Sequence, residues 1–415
     1  MVNDAAKPDA GGRGLLSAAV VVAALGYFVD IYDLVLFSIL WKPSLAALGY
    51  EGLAASDWYA RIITVQNVGM LLGGIAFGVV GDKRGRLQIL FGSITLYSLA
   101  TLANGLVTDV RWYAACRFLA GLGLAGELGA GVTLVAELLP ARLRGYGTMI
   151  VASVGVSGAV FANLLAGRFD WRIAYFTGGG LGLVLLLLRI GVAESGLFRG
   201  LEGRAVARGD FLALFAGRDR FMRFARSVLI GLPIWFSQAV LIGLSPEIAP
   251  AIGVSGAVAA GNAVSAFYLG LVFGDLGSGT LSQLLRSRRR VVLLFQVALG
   301  VATVLYFTAG RGAAPGAFYA LCGVLGVAAG YWAIFVTVGA EQFGTNLRAT
   351  VATSVPNFVR GLAGPMVFGY KAARDALGGP AVGAPLVAAG CLAVALWAAW
   401  GLRETFGRDL DYVEE

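Results

Sequence analysis

Asp30 and Asp33 stand inside an otherwise apolar run, residues 15–41. A run of that length spans a bilayer, and a charge at its centre costs at least about 2.5–3.5 kcal/mol on the most lenient scale. Charges kept at that cost mark a working site by default. The two carboxylates are three positions apart, so on a helix they share one face. Arg117 and Glu127 interrupt a second apolar run, 112–138. With a rise of about 1.5 Å per residue, Asp33 and Arg117 fall within about 5 Å of the same depth, which fits an ion pair. Asp30 and Glu127 both lie near mid-span, where that geometry would let them face one another across the same gap. Two neighbouring carboxylates resist carrying two charges at once, so such a pair is built to take up a proton. The chain has no histidine, so the usual switch near neutral pH is missing and carboxylates must carry any proton traffic. Asp30, Asp33 and Glu127 are therefore the proton-linked candidates. The plainer alternative is that Asp33 and Arg117 neutralise each other to hold two helices together.

The later part of the chain holds fewer intramembrane charges. Asp275 lies in the run 256–282 and Arg360 in the run 349–370, just after Asn357. A guanidinium binds a carboxylate through two parallel hydrogen bonds, so Arg117 and Arg360 are candidates for an anionic solute. A structural Asp275–Arg360 pair is equally compatible with the sequence. Gln66, Asn67, Gln238, Asn262 and Asn357 are polar groups within spans that would line a cavity or bond a neighbouring helix. Tyr32, Trp235, Tyr268, Tyr331 and Trp332 would shape a pocket or pack in the core.

These residues need a scaffold, and the composition defines it. Of 415 residues 58% are hydrophobic and 13% charged, against about 25% charged in soluble domains, and the mean hydropathy is +0.79. The expected fold is an all-α membrane protein with twelve spans: 15–41, 60–81, 87–108, 112–138, 145–167, 172–191, 226–248, 256–282, 290–309, 315–340, 349–370 and 381–402. Abundant glycine suits close helix packing. Arginine-rich residues 194–225 divide the chain into an N-terminal six-helix bundle (1–193), a cytoplasmic linker (194–225) and a C-terminal six-helix bundle (226–415). Lys83, Arg84 and Arg86, Arg142 and Arg144, the linker arginines, Arg286 to Arg290, and Arg348 all fall in alternate loops. By the positive-inside rule those loops and both termini are cytoplasmic, in a cell's inner membrane. The short polar segment 1–14 lacks a signal-peptide pattern, so the first span is expected to stay in the mature fold.

The halves repeat. Gly78 to Arg86, ending in Gly-Asp82-Lys-Arg-Gly85-Arg86, corresponds to Gly279 to Arg288, and Glu137 to Arg144 corresponds to Glu341 to Arg348. Repeated bundles place a shared site at their interface near the midplane. The Gly78–Arg86 segment, Arg117-Phe-Leu-Ala-Gly121 and the tail Arg403-Glu404-Thr405-Phe406-Gly407 together resemble the major facilitator superfamily. Phe28-Val-Asp30-Ile-Tyr32-Asp33 with Gly126-Glu127 is similar to the metabolite:H+ symporter branch, near the sugar porters. The resemblance implies alternating access and a cytoplasmic latch at Gly78, Asp82, Gly85 and Arg86. Glu137 with Arg144 and Glu341 with Arg348 are expected as further gate charges, and Asp275 as a gate or pairing charge. Lys83 and Leu87 depart from the family's usual basic residues, and Gln283 replaces the aspartate in the second copy.

Several function classes are excluded. The net charge of +8 comes from inter-span loops, so it marks topology and not a nucleic-acid surface. No phosphate-binding Gly-Lys-Ser/Thr loop is present, and the three cysteines have no metal spacing. No catalytic cluster, cofactor or metal is expected, and the protein is not read as an enzyme. The expectation is a monomeric secondary transporter of a small polar metabolite, an organic anion or zwitterion, working by proton symport. The alternative is a proton-coupled exporter; a receptor without transport activity fits the two-fold repeat less well.

Overall fold

A bilayer offers the backbone no hydrogen bonds, so a chain this apolar satisfies its amides within helices. The computed structural model describes residues 18–84, 86–127, 141–194, 211–407 and 414, and among these it is helical with no strand. Side chains at 18–19, 78–90, 127, 141–150, 152, 191–194, 345–346 and 349 lie outside that description.

The first half contains α1 (Ala18–Ala47), α2 (Gly52–Arg84), α3 (Arg86–Leu106), α4 (Val110–Glu127), α5 (Ala141–Ala166) and α6 (Trp171–Glu194). These match the first six expected spans in order. Helix α1 packs on α5 and α6, α2 on α4, and α3 on α4 and α6.

The second half is more broken than the sequence implies. The expected seventh span is built from α7 (Arg218–Leu229), α8 (Leu232–Phe236), a π-helical turn (Ser237–Ile242) and α9 (Ser245–Ala251). Pro233 opens α8, where its missing N–H costs nothing. Then come α10 (Ala260–Leu284) and α11 (Arg288–Thr308). The tenth span divides at Gly330–Tyr331 into α12 (Pro315–Ala329) and α13 (Trp332–Glu341), and the eleventh divides at Leu362 into α14 (Thr345–Gly361) and α15 (Ala363–Ala376). Helix α16 (Pro380–Trp400) is the twelfth.

Among the described residues, eight segments are long and apolar enough to cross a membrane by composition alone. The outward faces carry what lipid requires: Leu187, Phe273 and Val304 are each at least 60% exposed. Trp112 and Trp400, 70% exposed near helix ends, suit the membrane–water interface.

Candidate functional site

Among the described residues, two groups of buried charge involve the residues expected to form the site. The first is wholly in the N-terminal half. Asp33 of α1 meets Arg117 of α4 at 3.4 Å, and both are buried. Thr101 of α3 donates to Asp33 Oδ1 at 2.8 Å and accepts from Arg117 Nη2 at 3.1 Å. The guanidinium lies 5.0 Å from the Tyr175 ring centre, and Tyr175 shares a hydroxyl contact of 2.6 Å with Tyr113. Depth arithmetic anticipates the Asp33–Arg117 pairing, but Thr101 and the tyrosines escape it because neutral side chains give no warning in a sequence. Arg117 is fully enclosed here, so a solute reaches it only after rearrangement.

The second is at the interface of the halves. Arg360 of α14 is buried, with its guanidinium 5.0 Å from the Trp235 ring centre and 5.1 Å from that of Trp332. Trp235 and Trp332 themselves meet edge to face at 5.7 Å. Arg360 donates to Asn357 Oδ1 at 3.3 Å. Its Nε and the indole Nε1 of Trp235 are buried donors without an acceptor. Asp30 and Tyr27 from α1, and Tyr268 from α10, are its electrostatic neighbours. Tyr27 in turn senses Asp275, Arg360 and Asp30. One cluster thus brings Tyr27 and Asp30 from the first half within electrostatic reach of Tyr268, Asp275 and Arg360 from the second, with Trp332 against Arg360. Tyr27 is missed by the sequence reading because a tyrosine in an apolar span has no distinguishing neighbour.

Asp275 and Arg360 do not form the salt bridge that their charges suggest. The Asp275 carboxylate accepts from the Ala333 amide at 3.1 Å, because it sits beside the break between α12 and α13. Several polar candidates are committed elsewhere. The Tyr32 hydroxyl donates to the Ala174 carbonyl at 2.7 Å and that of Tyr331 to Ile230 at 2.8 Å, as buried phenols must, so both serve packing. Asn67 turns back onto Ile63 of its own helix at 2.7 Å. Gln66 reaches the Leu34 carbonyl at 3.4 Å and keeps an unpartnered Oε1. Gln238 is buried within the π-helical turn. Asn262 accepts from Asn163 at 2.9 Å, a bond between the halves at an exposed position.

The gate candidates divide the same way. Gly78, Asp82, Gly85, Arg86, Glu127, Glu137 and Arg144 lie outside the described side chains. Glu341 holds Thr405 at 2.6 Å and Arg288 at 3.6 Å, in place of the expected Arg348. Glu404 accepts from the Arg288 amide at 2.9 Å and from Ser287, capping α11. Burial pushes the Glu404 carboxyl up, but Ser287 and the amides of Phe406, Arg288 and Thr405 outweigh it and hold the group below the usual range. Arg223 holds Glu414 bidentately at 2.7 and 2.9 Å and keeps that carboxyl low as well.

The opposite end, near the α1–α2 connection, is closed across the halves. Trp41 donates to the Gly243 carbonyl at 3.0 Å, Tyr59 to Ala239 at 2.8 Å and Lys42 to Pro246 at 3.4 Å. Glu247 of α9 gathers Ser56 from α2 with Tyr370 at 2.8 Å and Arg374 at 2.9 Å from α15. Lys371 pairs with Asp57. A cavity of about 310 Å³ between α8, α11 and α16 is lined by residues such as Phe236, Leu299 and Ala388 with no charged group, so chemistry does not point there.

Among the described residues, long apolar helices, buried charges between them and an end closed across the two halves are the features of a membrane transporter. The family model of the Major Facilitator Superfamily matches residues 23–368, and the chain belongs to that superfamily. It is 32% identical over 162 residues to the niacin transporter NiaP of Acinetobacter baylyi, covering 38% of this chain and 36% of that protein. It is 29% identical over 201 residues to the sialic acid transporter NanX of Escherichia coli, covering 48% of each. These matches span half or less of either relative. The structure of the proton:xylose symporter XylE bound to 6-bromo-6-deoxy-D-glucose superposes with a TM-score of 0.68 at 16% identity, covering 95% of this chain and 97% of that one. That likeness shows the fold.

Proposed function

We propose that the protein is a proton-coupled symporter of a small organic anion, and that Arg360 binds the anionic group. The observation that carries this is the buried Arg360 guanidinium. It lies against two indoles, with no carboxylate at ion-pair distance among the described residues and an unpartnered Nε. A cation held dry without a counter-ion is stabilised by an incoming carboxylate. Trp235, Trp332 and Tyr268 give the anion's apolar body flat surfaces. Niacin and sialic acid, named for the two relatives, both carry a carboxylate at neutral pH, which supports the class. A cationic drug as cargo fits a site built around a buried guanidinium poorly.

Proton coupling belongs in this reading to Asp30, within electrostatic reach of Arg360, and to the Asp33–Arg117–Thr101 cluster. The basic loops favour both termini in the cytoplasm, with the linker 194–225 joining the bundles, and uptake is the direction of symport in this reading. The test is a binding screen of nicotinate, N-acetylneuraminate, benzoate and their uncharged amides on purified protein, repeated with Arg360→Ala. Carboxylate binding that disappears with Arg360 supports the reading, and equal binding of acids and amides rejects it.

A further inference from the structure

Asp275 is an acidic residue in a membrane helix whose partner is a backbone amide. The packing that puts it there is specific. Gly270 and Gly274 of α10 face Gly323, Gly326 and Gly330 of the broken tenth span so closely that a Cβ on Gly274 would collide with the Val327 carbonyl, and one on Gly330 with Gly274 itself. Backbone approach of this kind is what small residues allow in membranes. It brings the chain break at Gly330–Tyr331 against α10, one residue from Asp275. The first amides of α13 have no intrahelical acceptor, and Tyr331, at the cap position, offers no side-chain bond. Asp275 Oδ1 fills that role from another helix, accepting from Ala333 at 3.1 Å. The residue between cap and bond is Trp332, whose ring lies against Arg360, Trp235 and Phe335.

We propose that Asp275 is a positioning residue of the anion site: by capping the half-helix α13 it holds Trp332 flat against Arg360. This rests on the reading of Arg360 as the anion ligand, and it assigns Asp275 neither to a gate nor to a salt bridge. The cap needs an acceptor and not a charge, so asparagine can replace aspartate while alanine cannot.

The test uses full-length protein and two readouts. The emission of Trp332 is isolated as the difference between each protein and the same protein carrying Trp332→Phe. Nicotinate affinity is measured in parallel, with Arg360→Ala as reference. Asp275→Ala is expected to shift the Trp332 emission to the red and to weaken nicotinate by about tenfold, the equivalent of one lost hydrogen bond at the strong end of its range. Asp275→Asn restores both, with affinity within about threefold of the native protein. Unchanged Trp332 emission in Asp275→Ala overturns the proposal whether or not nicotinate binds. An affinity loss that asparagine does not rescue also overturns it, because the charge would then be the active element. Arg360→Ala binding nicotinate as tightly as the native protein sinks the anion-site reading instead, and the emission result still decides whether Asp275 places Trp332.

Discussion

Arg117→Met should destabilise the fold by about 3–5 kcal/mol, the cost of leaving one partner of a buried ion pair alone. The geometry supports that figure independently. Two unit charges 3.4 Å apart attract by about 5 kcal/mol at an effective dielectric near 20. Asp33 would keep only the Thr101 hydroxyl at 2.8 Å. The reverse change, Asp33→Asn, leaves a buried guanidinium with Thr101 and the Tyr175 face and should cost at least as much. The double variant Asp33→Asn/Arg117→Met removes both charges and should be more stable than either single variant, giving a coupling energy of about 3 kcal/mol or more. Thr101→Val should cost less, about 1.5–3 kcal/mol, as a bond to a charged group. Denaturant titration in a fixed detergent, following the loss of helix signal, measures all four. Additive single variants, with coupling below about 0.5 kcal/mol, would refute the claim that this pair acts as one buried unit.

Three further outcomes follow from other parts of the molecule. Asp30→Asn should abolish proton-driven accumulation while sparing solute exchange in proteoliposomes; full-rate accumulation would remove Asp30 from the coupling path. Glu247→Gln weakens a junction that joins Ser56 to Arg374 across the halves; at about 1–3 kcal/mol it should shift the open-to-closed ratio at that end by about 5- to 150-fold. Spin-label distances between α1 and α9 would show this, and an unchanged distribution would count against the junction. Glu404 and Glu414 are held below the usual glutamate value of 4.5 by their partners. A carboxyl whose folded-state value is depressed stabilises above its unfolded value, and that contribution is lost as pH falls through the folded one. Thermal midpoints should therefore drop below about pH 4.5, and the drop should be smaller in Glu414→Gln than in the native protein.

The twelve-span layout was legible because lipid forces each crossing to be a long apolar helix. Asp33 and Arg117 were legible as a pair because helix rise converts sequence position into depth. Arg360 and its two tryptophans were visible as candidates, although nothing in one dimension shows that they stack. The break at Gly330–Tyr331 was hidden: residues 315–340 read as one continuous span, and what divides them is backbone packing against Gly274 together with a cap from Asp275. The same tertiary cause explains why Asp275 meets an amide instead of Arg360. Pro233 announces a bend in the seventh span but not the π-helical turn that follows it. Ser56, Glu247 and Arg374 went unnoticed because charges at helix ends read as topology signals, and only folding brings them together.

Proton-coupled anion transport is tested most directly in proteoliposomes holding the full-length protein, with labelled nicotinate outside and an imposed pH gradient. With the outside acidic, nicotinate should accumulate above its equilibrium level, protons should enter with it, and Arg360→Ala should abolish both. Nicotinate entry that follows its own gradient alone, unaffected by the pH difference and accompanied by no proton movement, would contradict the account.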